Sequence, residues 1–270
     1  MYCSNSLTSK VNEPMNNTND DMSSIEAKCC RDSNLSEILR RIEQCIESSP
    51  DKLDEFVRQI PKIELHVHLD GAFDHEYLYE CYCAMSVKDS NLSKVDFLNR
   101  CECRGKYSLG DMIQCFETFL PIVQGNLDIL QREAYEFVRR QAEQHIVYTE
   151  VRYSPHLFTG NRGSYEYKEE STDIHSKCIG TETSPDAVVD AITNGLIRGE
   201  KEFGVQVNQI ICCISGRPDW TEDSLRIASG RRNGRCAIVG IDIAAGEDHF
   251  DKVTSDLLNF FFSTTYIKCF

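Results

Sequence analysis

Apolar residues in this chain follow two rhythms, helical and alternating, separated by polar stretches. Residues 1–33 are rich in Ser, Asn, Asp and Thr with few large apolar groups. Such a segment cannot offset its own ordering entropy, so a disordered polar tail is expected there. Leu35, Ile38, Leu39, Ile42 and Ile46 then recur at helical spacing, with Asn34 and Glu37 resembling a capping box. A second short helix carries Leu53, Phe56 and Val57 and ends before Pro61. The rhythm changes at Ile63, Leu65, Val67 and Leu69, which alternate with polar residues in the period-two pattern of a strand.

Helical spacing returns over His75 to about Ala84, over Leu109 to Val123, and over Leu127 to about His145. In the last of these, Leu130, Ala134, Phe137, Val138 and Gln141 line a core-facing stripe. Ile146 to Tyr153 reads as a strand on which Glu150 and Arg152 share a face and are expected to pair inside the fold. Residues 159–183 are polar and irregular, a surface loop. Ser184-Pro185-Asp186 opens a helix, with Ser as cap and Pro at its first position. Val188, Val189, Ile192 and Leu196 form its stripe, and Gly204 ends it. Val205 to Ile214 is a nearly continuous apolar strand, as expected when both faces are buried. A helix around Thr221 to Ser229 and a strand from Ala237 to Ala244 follow.

Strands therefore alternate with helices, which implies parallel strands joined by right-handed crossovers. An eight-stranded barrel and an open doubly wound sheet both begin this way. No G-x-G-x-x-G follows the first strand, which weakens the dinucleotide-binding version.

Candidate chemistry concentrates in Pro61 to Ala72. His66 and His68 stand two apart on a strand, so their imidazoles lie side by side. Each can give one nitrogen to a metal such as zinc. His-x-His is a short pattern, and a strand that merely happens to carry two histidines is the competing reading. Gly71 lets the chain turn and leaves Asp70 at the strand's end, within reach of a ligand.

Charge narrows the partners: 43 acidic against 29 basic residues give a formal net charge of -14. Phosphate-backbone binding needs clustered Lys and Arg, so no nucleic-acid partner is expected, while a small neutral substrate is compatible. No charged-then-apolar leader opens the chain. No apolar run approaches the roughly 18 residues of a membrane helix. A soluble, cytoplasmic protein without membrane contact is the expectation. Without a secretory leader, the 14 cysteines are expected to be reduced thiols. The Cys81/Cys83 and Cys101/Cys103 pairs would diverge on a helix and suit one metal poorly.

The string from Pro61 to Gly71 resembles the first-strand motif of the adenosine deaminases, Pro-Lys-x-Glu-Leu-His-x-His-Leu-Asp-Gly. Ala134-Tyr135-Glu136-Phe137-Val138 and the Glu-Val-Arg-Tyr-Ser-Pro-His-Leu string ending at Leu157 continue it. Phe203-Gly204-Val205, Ile211-Cys212-Cys213 and Gly240-Ile241-Asp242-Ile243-Ala244 follow in family order, so the resemblance runs from about Pro61 to Asp248. It implies an α/β fold of the (β/α)8 TIM-barrel family, with the site at the C-terminal ends of the strands. About the first four βα units of that barrel are present.

The resemblance further implies Zn2+ held by His66 and His68, and ribose binding by Asp70. It implies a purine-facing wall of Leu109, Met112, Ile113 and Phe116, whose spacing also suits ordinary core packing. A backbone contact to the purine falls on Ala245, or on Gly246 with one inserted residue. The implied reaction is zinc-dependent hydrolytic deamination of adenosine (and deoxyadenosine) to inosine, a step of purine nucleoside metabolism. Adenine is the runner-up substrate, and Asp70 favours the nucleoside.

The chain also departs from the family pattern. A third zinc histidine and the catalytic glutamate belong to a His-Ala-Gly-Glu string, whereas Ala244-Ala245-Gly246-Glu247 here lacks the histidine and follows the fourth-strand signature. The only Asp-Asp pair, Asp20-Asp21, lies in the polar tail. No catalytic glutamate, histidine or aspartate is therefore assigned. The expected division is 1–33 polar tail, 34–60 short helices, 61–248 partial barrel and 249–270 an unrelated apolar tail. An under-coordinated zinc and a missing proton carrier predict that this chain alone is inactive. A truncated isoform that holds a partner, or a nucleoside, without catalysis is the alternative. Open edges on the first and fourth strands predict self-association.

Overall fold

Ile210 to Ile214 are each no more than 4% exposed, so the run read as buried on both faces lies inside a sheet. The computed structural model describes residues 36–37, 40–44, 47, 50–85, 92–102, 105, 108–160, 181–214, 217–244 and 268–269. The chain divides into two compact units, Met1–Ile60 and Pro61–Phe270. In the first, the described residues 36–37, 40–44 and 47 are helical, and a helix α1 spans Pro50–Gln59. The Arg41 guanidinium sits 5.7 Å from the Phe56 ring centre. The polar tail expected over 1–33 lies outside the described residues.

The second unit opens with strand β1, Lys62–His68. Helices α2 (His75–Ala84), α3 (Lys94–Cys101), α4 (Leu109–Val123) and α5 (Leu127–Glu143) follow. Strand β2 (Ile146–Tyr153), helix α6 (Pro185–Phe203), strand β3 (Gln206–Ile214), helix α7 (Thr221–Gly230) and strand β4 (Ile238–Ala244) continue the alternation. All strand pairings are parallel, in the order β1-β2-β3-β4, with a two-residue strand β5 (Lys268–Cys269) added beside β4. A doubly wound sheet reverses direction at its switch point. Here each strand joins the previous one on the same side, which selects the barrel reading over the doubly wound one.

Four local readings change. Helix α3 was not anticipated: the Ser93 hydroxyl accepts from the Asp96 amide at 3.1 Å and donates to the Asp96 carboxylate at 2.7 Å. That Ser-x-x-Asp signal, with Phe97 and Cys101 buried behind it, was available in the sequence. Helix α5 stops at Glu143 rather than near His145, because His145 takes a left-handed φ of 56° to turn the chain into β2. The Lys62 amide donates to the His145 carbonyl at 2.9 Å, joining β1 to that turn. The expected Glu150–Arg152 pair does not form: the Tyr148 hydroxyl donates to Glu150 at 2.6 Å, and Arg152 goes elsewhere. Finally, the edge of the fourth strand expected to be open carries β5, which pairs at Gly240 and Ile241.

Helices α5 and α6 lie close together over the sheet, and two glycines set the distance. A Cβ on Gly195 would fall 2.1 Å from the Gln131 carbonyl oxygen, and one on Gly199 would fall 2.6 Å from Val138 Cβ. Only glycine admits such an approach. Ser184 caps α6 through the Ala187 amide at 3.1 Å, and Gly204, at φ 76°, ends it. Both ends were legible from residue type.

Candidate metal centre

His66 and His68 stand two apart on β1, whose ladder to β2 shifts register between Glu64 and Val67. His68 is opposite Arg152 of β2, and Asp242 of β4 is opposite Cys212 of β3. On a flat sheet, β1 and β4 would be three strand spacings apart, about 14 Å. Yet one ligand atom each from His66, His68 and Asp242 all lie within 4.8 Å of one another. The sheet is therefore strongly curled, and its concave face gathers side chains from its two ends. The imidazole centres are 5.7 Å apart. His66 is exposed, and His68 and Asp242 are half-buried.

This donor set fits a divalent cation. Two imidazoles and one carboxylate match catalytic zinc sites, which use three protein ligands and leave a fourth position open. Tetrahedral coordination at about 2.0–2.2 Å needs donors roughly 3.3 Å apart, so the three groups must close by a small side-chain adjustment only. Burial, and then the positive charge of Arg152, hold His68 below its usual pKa, which favours the neutral, ligating imidazole. Asp242 is a candidate third donor that the sequence reading left unassigned. Its position inside the Gly-Ile-Asp-Ile-Ala string was legible, but its distance from β1 depends on the curl.

Arg152 is 3% exposed and spans the centre. One terminal nitrogen donates to Asp242 Oδ2 at 2.7 Å, and the other donates to the Leu65 carbonyl at 2.9 Å. The second Asp242 oxygen accepts from the Ile243 amide at 2.8 Å. Cys212 is buried on the same face, and burial pushes its thiol well above the usual range, so it is a protonated neighbour rather than a thiolate.

The other expected site residues divide. Asp70, expected to be open to a ligand, is instead 7% exposed in a short turn over Asp70–Ala72. It accepts from the Gly71 amide at 3.1 Å, and burial raises its pKa to about 6. Met112 stands 44% exposed near the start of α4. Phe116 packs beside Phe119 with ring centres 5.2 Å apart, and Phe119 meets Phe73 just beyond β1 at 5.9 Å. Helix α4 is thus anchored to the exit of β1. Side chains of Leu109 and Ile113, and all of Ala245 and Gly246, fall outside the described residues. Cys81, Cys83, Cys212 and Cys236 are free thiols.

Sequence reasoning missed one further cluster. His156, after β2, places Nε2 3.1 Å from Asp223 of α7 and stacks on Trp220 at 5.1 Å. The Arg217 guanidinium lies 3.9 Å from the same indole. Nothing in the spacing joins residues 156 and 220; the parallel neighbours β2 and β3 do. This cluster links the segments that follow β2 and β3.

Comparison with known proteins gives a consistent assignment. The adenosine deaminase family model matches residues 61–263. Adenosine deaminase of Xenopus laevis is 31% identical over 188 residues, which cover 69% of this chain and 49% of that protein. The chain thus spans about half the length of the curated relatives it matches. Among solved structures, Arabidopsis ADAL complexed with GMP aligns with a TM-score of 0.58 at 19% identity, covering 80% of this chain and 59% of that one. An amidohydrolase from Burkhoderia ambifaria with bound Zn aligns with a TM-score of 0.55 at 20% identity, covering 76% and 50%.

Proposed function

The chain belongs to the adenosine deaminase family, and on that premise we propose that it carries the metal-binding half of a site for hydrolytic deamination of adenosine. The observation that carries this reading is the convergence of His66, His68 and Asp242 within 4.8 Å. Zn2+ is the proposed ion, consistent with the N,N,O donor set and with the zinc described in the Burkhoderia amidohydrolase. When bound, zinc supplies hydroxide near neutral pH by lowering the pKa of a coordinated water. His66 and His68 offer neutral nitrogens, and Asp242 offers a carboxylate whose orientation Arg152 fixes. Met112 and Phe116 on α4 are proposed to face the purine.

Catalysis needs one more part, a group that carries protons between water and the purine ring. The family's His-Ala-Gly-Glu string, which holds that glutamate, does not occur in these 270 residues. The chain alone is therefore proposed to bind metal without turning over adenosine. Purified chain titrated with Zn2+ should take up about one equivalent, and His66→Ala with His68→Ala should abolish uptake. An ammonia-release assay with zinc and adenosine should match the metal-free control. Turnover above that control would overturn the inactive reading, and failure to bind zinc would overturn the metal centre.

A further inference from the structure

We propose that Arg152 is the positioning residue of the metal centre, the strap that holds β1 and β4 close enough for their donors to share one ion. The inference rests on the metal reading of His66, His68 and Asp242 above and goes beyond it. Arg152 belongs to β2, yet its two terminal nitrogens reach two other strands. One grips the Leu65 carbonyl, directly before the ligand His66, at 2.9 Å. The other grips Asp242 Oδ2 at 2.7 Å. A single planar guanidinium thus links the backbone of one ligand strand to the ligand side chain of the other. Its two donor directions are fixed by the fork, so the separation it spans is fixed too.

Three features distinguish this from a structural ion pair alone. Each carboxylate oxygen of Asp242 takes one hydrogen bond, from Arg152 or from the Ile243 amide. A carboxylate has about four lone-pair directions, so the carboxylate is oriented while lone pairs remain for a metal. Arg152 is 3% exposed, so water cannot readily replace its contacts. And β1 and β4 do not pair with each other: the backbone ladder runs through β2 and β3, and β1 has no neighbour besides β2 among the described residues. The Arg152 contacts tie the two ligand strands directly.

The test is metal affinity in the full 270-residue chain, read by competition with a chromophoric chelator for Zn2+ and by the visible spectrum of bound Co2+. Arg152→Met keeps the length and removes both hydrogen bonds. Its Zn2+ affinity should fall about 10–100-fold, the usual cost of losing a partner that orients a ligand. Its Co2+ spectrum should also lose tetrahedral intensity. Arg152→Lys keeps the charge but cannot hold both acceptors, and should show a smaller loss with the same sign. Circular dichroism checks that each variant is folded. Should Arg152→Met fail to fold, the Lys variant decides alone. A folded variant with wild-type affinity and spectrum would overturn the inference while leaving the metal reading intact. A gain in affinity would overturn it too, because the guanidinium would then be competing with the cation for Asp242. Absence of zinc binding by the unaltered chain would overturn both.

Discussion

Strands β3 and β1 differ in apolar pattern, nearly continuous on β3 and alternating on β1, and in surroundings. Val207, Ile211 and Cys213 on one face of β3, and Ile210, Cys212 and Ile214 on the other, are almost wholly buried. On β1, Ile63 and Leu65 remain 63% and 54% exposed. The two strands differ in position: β3 lies between β2 and β4, while β1 ends the sheet. The interior strand with α5 and α6 is a finished core, whereas the edge strand, which carries His66 and His68, is braced mainly from its exit. Stability and the candidate chemistry are thus housed in different regions, joined by Arg152 and by the packing beyond β1.

The sharpest way to break this contrast is at the α5–α6 contact. Gly195→Ala drives a methyl into the Gln131 carbonyl and should destabilise the chain by more than about 3 kcal/mol in denaturant unfolding. A wild-type midpoint would show that the two helices are not rigidly apposed. Next in size, Ile211→Ala in the interior strand should cost about 3 kcal/mol. Its edge counterpart, Leu65→Ala, should cost less than about 1 kcal/mol, since much of that side chain is already in water. Equal losses would mean that β1 is as well packed as β3.

Between those two effects lies the seam. Glu133 of α5 is fully buried and accepts from the Asp74 amide at 2.9 Å, at the start of α2. Its nearest charge partner, Arg140, is 3.9 Å away and also donates to the Ala72 carbonyl. Burial outweighs these partners and raises the Glu133 pKa from 4.5 to about 7. The folded state therefore keeps a proton that the unfolded chain has already released, and stability must fall as pH rises from 4.5 to about 7. Below that window both states are protonated, and above it the loss is complete. The contribution is on the order of 3 kcal/mol. Glu133→Gln should flatten that part of the profile, measured as the difference in unfolding free energy from the unaltered chain between pH 4.5 and 8. An unchanged slope would remove Glu133 as its source.

Much of the fold was legible in residue order. The helices His75–Ala84 and Leu109–Val123 and the strand Ile146–Tyr153 fall where spacing placed them, because periodicity reports burial directly. Helix α3 shows the opposite case: it is short and half-exposed, so its Ser93 cap was a better guide than its apolar pattern. The site was legible on β1 alone. His66 and His68 are neighbours by strand geometry, whereas Asp242 and Arg152 are distant in sequence and meet through the curl of the sheet.

Sequence by itself determined the element order, the His-x-His face, the Ser184 and Gly204 helix ends and the family, since each is written in local spacing or in a continuous string. Tertiary structure decided which carboxylate joins the histidines, that Arg152 pairs with Asp242 rather than Glu150, and that Asp70 is buried rather than open. Those outcomes depend on how far four parallel strands bend, and no local pattern fixes the distance between the two ends of a sheet.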